Sequence, residues 1–386
     1  CVASIESDVD GPWRVSVAAW GQPSDPKTFS GYARSLAEAL QMRGRLAGQY
    51  SLKNLRIRDA FAGAVGVTSV FPRPRLHVSR RWMWGPAGNP RIRERLACAR
   101  AAANDASPIL EVGTLVEPTA DFGQYYHLTD MTVAQARREQ QSGLTVMEQR
   151  DLAWIERRQS EILAASTHVF ALSEWTAESL RRDCGVRADA VSVVHAGSNL
   201  DLTEMPSVRR RQEILFVGID WERKGGPELL EAFAKVRQRL GGASLRIVGC
   251  SPAGAESRPG VVVDGYLSRT DPAQFQRLRE AYAQAACFCL PSRFDPFPNA
   301  IVEAMSAGLP CVSIDSGSRR EAIVSGVTGS LVPPGDVGAL ADALHDLLVD
   351  VDTAVRMGAA ARARARALFT WDAVVTRIGN VVSRHV

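Results

Sequence analysis

Two acidic residues eight positions apart, Asp295 and Glu303, stand in the stretch Pro291 to Leu309, PSRFDPFPNAIVEAMSAGL. The apolar run Cys287–Leu290 before it reads as a buried strand, so Asp295 falls in a loop at a strand's C-terminal end. Asn299 is placed to cap a helix that Gly308 ends and Pro310 cannot continue. Glu303 then lies one turn inside that helix. Unbonded backbone amides over Phe297, Pro298, Asn299 and Ala300 would point at whatever lies above, and helix N-termini favour anions. An amide cradle for a phosphate, flanked by two carboxylates that accept hydroxyl protons, suits a sugar nucleotide. The same residues also read as a capped helix with solvated acids.

A second stretch, Ile214 to Ala232 (ILFVGIDWERKGGPELLEA), runs from an apolar strand through Gly218 and a loop to Lys224-Gly225-Gly226 and a helix. A lysine there is a compact cation able to neutralise a diphosphate leaving group, and Arg223 adds a fork of donors. The plainer alternative is a lysine on a solvated turn. It is weakened by scarcity: of 46 basic residues only Lys27, Lys53, Lys224 and Lys235 are lysines, so a lysine at a motif is poor filler.

Short apolar runs alternate with amphipathic helical stretches along the whole chain, the pattern of parallel sheets with crossover helices. Strands are expected at Trp13–Ala19, Ile109–Thr114, His168–Leu172 and Ala190–Val194, with helices from Ser30, across Val133–Leu163 and over Glu174–Cys184. The polar segment Asn199–Gln212 reads as a linker, after which the pattern restarts with strands at Glu213–Val217, Ser244–Val248 and Val261–Val263. Three domain segments are expected: 1–205, 206–370, and a C-terminal helix over 371–386 that crosses back to the first. The fold class is α/β, with two doubly wound domains. Ligands in such sheets bind outside the carboxyl ends of the strands, here between domains facing a central cleft.

Composition narrows the classes further. The 386 residues are 46% hydrophobic and 23% charged, which excludes a disordered or fibrous chain. Forty-six basic against 42 acidic residues argue against binding nucleic acid through bulk positive charge. No window holds the roughly 18 apolar residues that a membrane span needs. Seven cysteines without a CxxC pair fit reduced thiols in the cytosol. The chain begins on Cys1, which implies a trimmed start and leaves a removed targeting segment open.

The stretch Pro291 to Leu309 resembles the donor-site signature of retaining GT-B glycosyltransferases of family four: a Glu, seven residues, then a second Glu running into Glu-Ala-Met. Here the pair is Asp295 and Glu303, so the first acid is one methylene short. The resemblance implies that Glu303 holds the nucleotide's ribose and Asp295 approaches the donor sugar's hydroxyls. It continues through Val217-Gly218, Lys224-Gly225 and Leu229-Leu230-Glu231-Ala232-Phe233, although Ile219 stands where the family has Arg. Arg223 would then supply the missing phosphate contact. Gly249 ends one strand and Gly265-Tyr266 follows the next, where members contact the base; Gly31 resembles the glycine near the donor phosphates. Many members place a histidine near the donor sugar in the region of His127, which with Asp130 lies in YYHLTDMT after a strand; a satisfied structural histidine is the alternative.

The implied activity is metal-independent transfer, with retention, of a sugar from a UDP- or GDP-linked donor. The acceptor would be a glycan, a lipid-linked molecule or a small molecule, and no other cofactor is implied. An epimerase, a phosphorylase and a non-catalytic binding protein remain alternatives. Arg80, Arg81, Trp82 and Trp84, within the arginine-rich Arg73–Arg100, could touch an anionic membrane surface or form a solvated loop over buried tryptophans. The expected location is cytoplasmic, with contact at the inner membrane face open. Two Asp-x-Asp triplets, Asp8–Asp10 and Asp350–Asp352, follow no strand and are not read as metal sites.

Overall fold

The computed structural model describes residues 13–25, 28–53, 89–139, 149–202 and 211–385. Lys27, the triplet Asp8–Asp10, the cluster Arg80 to Trp84 and most of the expected linker, residues 203–210, lie outside the described residues. The chain divides into two compact units, one of residues 1–196 with 371–386 and the other of residues 197–370.

In the first unit the elements are β1 (Val15–Ala19), α1 (Tyr32–Met42), β2 (Leu46–Ser51), α2 (Asn89–Ala102), β3 (Ile109–Val112), β4 (Tyr125–Thr129), α3 (Val133–Arg138), α4 (Gln149–Ala164), β5 (His168–Ala171), α5 (Glu174–Arg182) and β6 (Val191–Val193). The described strands form one parallel sheet in the order β2-β1-β3-β4-β5-β6. β1, β3, β4 and β5 are buried at every residue, as strands covered by helices on both faces must be. α5 starts where expected because Ser173 accepts the Thr176 amide at 3.1 Å.

The second unit contains β7 (Glu213–Val217), α6 (Gly226–Arg239), β8 (Ser244–Val248), β9 (Val261–Gly265), α7 (Pro272–Gln284), β10 (Cys287–Cys289), α8 (Asn299–Ser306), β11 (Cys311–Ile314), α9 (Arg319–Ala322), β12 (Gly329–Val332), α10 (Val337–Val349) and α11 (Val351–Leu368). Its parallel sheet runs β12-β11-β10-β7-β8-β9, the doubly wound order. The order reverses between β7 and β10, and the crevice beyond the carboxyl ends of those two strands is where ligands of such sheets bind. Asp350 accepts the Thr353 amide at 2.9 Å and caps α11, which gives the second Asp-x-Asp triplet a structural task.

The last helix, α12 (Trp371–Val382), belongs to the first unit. Asp372 accepts from Arg43 Nε at 2.6 Å, and Arg377 donates to the Val194 carbonyl at 2.9 Å. A Cβ on Gly379 would lie 2.6 Å from the Trp13 ring, so the helix backbone rests directly on that tryptophan.

Three strands, β2, β4 and β12, were not foreseen. β2 carries Gly48, Gln49 and Ser51 and alternates between half-buried and exposed, which erases the apolar run that marks its neighbours. The run YYHLT is itself β4, so His127 lies inside a strand and not after one. No helix among the described residues is long and apolar enough to cross a membrane.

Candidate active site

The loops after β7 and β10 meet at the point where the strand order reverses. Lys224 Nζ donates to Asp295 Oδ2 at 2.5 Å, and both side chains are nearly closed to solvent. Arg293 N donates to the Arg223 carbonyl at 3.0 Å, and Arg223 Nη1 donates to the Phe294 carbonyl at 2.9 Å. Ser292 Oγ adds a 2.8 Å bond to the same Phe294 carbonyl, and Ser318 Oγ donates to the Asp295 carbonyl at 3.2 Å.

This approach demands glycine at 225. Its φ is +76°, and a Cβ there would lie 2.0 Å from the Pro291 carbonyl oxygen. Gly218 and Gly249 act similarly through backbone: a Cβ on Gly249 would lie 2.6 Å from the Gly218 carbonyl oxygen. The amide of Gly218 donates to Val248 O at 2.9 Å and that of Gly249 to Gly265 O at 2.7 Å, so the ends of β7, β8 and β9 are knitted into one edge. On that edge Ile219 is 74% exposed and Tyr266 is 62% exposed, two large apolar surfaces at the carboxyl ends of their strands.

Glu303 sits on α8 and is buried at 3% exposure. Tyr282 OH donates to its Oε2 at 3.4 Å, and Arg269 Nη1 stands 3.6 Å from Oε1. Burial pushes the Glu303 carboxyl above its ordinary range; Arg269, Tyr282 and Lys224 pull it back, in that order. Its Oε1 and the Oδ1 of Asn299, four residues earlier on the same helix face, are buried and have no hydrogen-bond partner. Buried acceptors are rarely left unsatisfied, so this pair marks a place where a ligand's donors would fit.

Several expectations need correction. Asn299 does not cap its helix: the cap position is Pro298 and no side-chain cap is made. The amide cradle is smaller than expected, because Pro298 has no N–H and the Asn299 amide donates to Phe297 O at 3.0 Å. Ile301 and Val302 amides share the Pro298 carbonyl, each at 3.0 Å, which leaves Ala300 as the amide offered at that start. The Phe297 side chain is core, packed edge-on to Phe369. Arg223 ties the loops after β7 and β10 together, bonding Phe294 O and Asp220 Oδ2 (3.1 Å).

In the first unit, Gly31 lies at the start of α1, beyond the carboxyl end of β1, with φ +90°. His127 is fully buried in the sheet. Its Nδ1 lies 2.8 Å from Ser166 Oγ and its Nε2 3.3 Å from Glu111 Oε2. Glu111 in turn accepts Tyr125 OH at 2.7 Å and the amides of Leu115 and Val116 at 2.6 and 3.1 Å. His127 therefore belongs to a buried network that fixes the loop after β3; it presents no atom to solvent. Among the described residues no group of three His, Cys, Asp or Glu is placed to hold a metal.

Sequence reasoning missed Tyr282, Arg269, Ser292 and Ser318. Tyr282 carried one usable signal, since a buried tyrosine hydroxyl needs a partner; the others have no spacing relation to the motifs they serve.

Comparison with known proteins agrees with this architecture. Residues 211–350 match the family model of glycosyl transferases group 1. The D-inositol 3-phosphate glycosyltransferase of Corynebacterium diphtheriae is 31% identical over 229 residues, 52% of each chain. A GDP-mannose-dependent alpha-(1-6)-phosphatidylinositol monomannoside mannosyltransferase of Mycobacterium tuberculosis is 31% identical over 168 residues, 41% of this chain and 44% of that one. The chain spans about half the length of the curated relatives it matches. Among solved structures, sucrose-phosphate synthase from Thermosynechococcus elongatus superposes with a TM-score of 0.66 at 21% identity, over 96% of this chain and 98% of that one. Anabaena HepE, solved with UDP and glucose, gives 0.64 at 16% identity over 96% and 100%. The fold is GT-B.

Proposed function

We propose that the chain is a glycosyltransferase that moves a sugar from a nucleotide diphosphate sugar to an acceptor hydroxyl, with retention and without a metal. The observation that carries this reading is the meeting of Lys224, Asp295 and Glu303 beyond β7 and β10, where the sheet reverses. In it, Glu303 Oε1 accepts the ribose hydroxyls, Asn299 Oδ1 is a second acceptor beside it, and the exposed faces of Ile219 and Tyr266 flank the base. Lys224 shares its charge between Asp295 and the diphosphate, and the Ala300 amide faces the phosphates.

Charge building on the departing diphosphate is the quantity such a site stabilises. A leaving-phosphate oxygen takes the acceptor's proton on the same face of the sugar, which preserves the anomeric configuration. UDP or GDP is the donor base class this reading favours. It is supported by the GDP-mannose dependence named for one relative and by the UDP bound in one structural neighbour. The acceptor is a sugar, a lipid-linked molecule or a small molecule.

The experiment is a thermal-shift panel of UDP, GDP, ADP, CDP and TDP, followed by transfer from the matching donor with and without EDTA, the product's anomeric configuration being read by NMR. One nucleotide should raise the melting temperature, since a ligand that binds only the folded state stabilises it. Transfer should persist in EDTA with the configuration kept. Binding without transfer to any acceptor or to water would favour a non-catalytic binding protein. No shift from any nucleotide would overturn the proposal.

A further inference from the structure

The two carboxylate oxygens of Glu303 have unequal surroundings. Oε2 accepts from Tyr282, whose side chain is fully buried on α7. Oε1 has no hydrogen-bond partner. Arg269 stands 3.6 Å from it, within ion-pair reach but beyond a hydrogen bond, and 46% of that side chain is open to solvent. A buried carboxylate oxygen left without a donor is costly and calls for a reason.

The backbone around Arg269 is fixed although its guanidinium is half exposed. The Ser268 amide donates to Gln274 Oε1 at 2.8 Å, and the Thr270 amide to Ser268 Oγ at 3.2 Å. Asp271 then caps α7, accepting the amides of Ala273 and Gln274 at 2.9 and 3.1 Å. The same loop carries Tyr266, and the same helix carries Tyr282. One loop-and-helix segment therefore carries the exposed Tyr266 and presents a cation and a fixed hydroxyl to a single carboxylate on α8.

We infer that Tyr282 and Arg269 are positioning residues for Glu303: the tyrosine fixes Oε2 so that Oε1 is offered to a ligand hydroxyl, and the arginine is the counter-ion that this hydroxyl joins or displaces. The inference rests on the reading of Glu303 as the acceptor for the nucleotide's ribose hydroxyls. The charged and titratable groups that face Glu303 are Tyr282 from α7, Arg269 from the loop before it and Lys224 from the loop after β7, and all three favour the ionised carboxylate. Removing the tyrosine hydroxyl or the arginine charge leaves burial less opposed, so the carboxyl takes up its proton at a higher pH. A protonated carboxyl has lost part of its acceptor capacity.

The test uses the full chain and whichever of UDP, GDP and ADP binds best, with calorimetric affinities from neutral to acid pH. Tyr282→Phe and Arg269→Gln should each weaken binding about five- to tenfold, the size of one or two lost polar contacts. Each should move the acid fall-off of binding to higher pH, and Arg269→Lys should return it toward the wild-type profile. The matching 2′- and 3′-deoxynucleoside diphosphates should bind worse than the ribonucleotide to the wild type, with the difference reduced in both variants. Wild-type affinity and pH profile in Tyr282→Phe and Arg269→Gln, alongside loss of binding in Glu303→Gln, would overturn the positioning roles and leave the ribose reading standing. Undiminished binding by Glu303→Gln would overturn both. Should the buried tyrosine variant fail to fold, the half-exposed Arg269 variants decide the matter alone.

Discussion

Lys224 and Asp295 are 71 positions apart in sequence, and the structure brings Nζ to 2.5 Å from Oδ2. With side-chain exposures of 14% and 8%, the pair is shielded enough that neither partner is dispensable to the other. It joins the two loops beyond β7 and β10, and on the proposed reading an incoming diphosphate would compete with the carboxylate for this cation.

That competition separates stability from binding. Lys224→Ala leaves Asp295 buried and unpaired and should cost about 3 kcal/mol in urea unfolding. It should also weaken nucleoside diphosphate binding more than tenfold and remove most turnover. The double variant Lys224→Ala with Asp295→Ala should recover most of the stability but none of the binding. A double variant that binds and turns over normally would sink the phosphate role of Lys224.

Gly225→Ala places a Cβ against the Pro291 carbonyl oxygen in a backbone conformation that alanine adopts poorly. A loss of about 3 kcal/mol is expected, together with weaker nucleotide binding although Lys224 and Asp295 are both present. An unchanged melting temperature would show that the two loops do not need this approach.

Acid should act through the first unit. His168 on β5, bonded to Ser192 Oγ at 2.9 Å and beside His385, has its pKa lowered by burial from 6.5 to about 4. His385 and Arg384 add to that lowering, and Asp189 opposes it. The unfolded chain therefore binds this proton more readily than the folded one. The stability is complete above pH 6.5 and is lost as pH falls toward 4, at a slope approaching 1.4 kcal/mol per pH unit. His168→Gln should flatten that window in denaturant titrations taken at several pH values. Asp105, held down to about 2 by Ser16, Tyr50 and Ser107, begins to matter only below its ordinary value of 3.8. Equal slopes in variant and wild type would remove His168 from the account.

The second unit was readable in sequence because its punctuation is local. Asp271 and Asp336 announce their helices, Gly218 and Gly225 mark the loop where it turns, and a strand of continuous apolar residues precedes each motif. The first unit was less so. β2 hides its strand behind Gly48, Gln49 and Ser51, and His127 looked like a loop residue because YYHLT mixes polar and aromatic side chains. The cap at Asn299 was misread because a proline at 298 already occupies the position before the helix. The partners of Glu303 were invisible for a different reason: Tyr282 is 21 residues away, and burial rather than spacing couples them.

The return of residues 371–386 to the first unit has a consequence for how the protein is made. On the ribosome the strands of that unit emerge before residues 197–370, yet the helix that covers Trp13 and Val194 emerges after them. Residues 197–370, tied at entry and exit by the Ser198 amide on the Phe369 carbonyl at 2.9 Å, are all synthesised in between. The second unit can thus close while the first still waits for α12, and a nascent chain stalled before that helix would leave Trp13 uncovered.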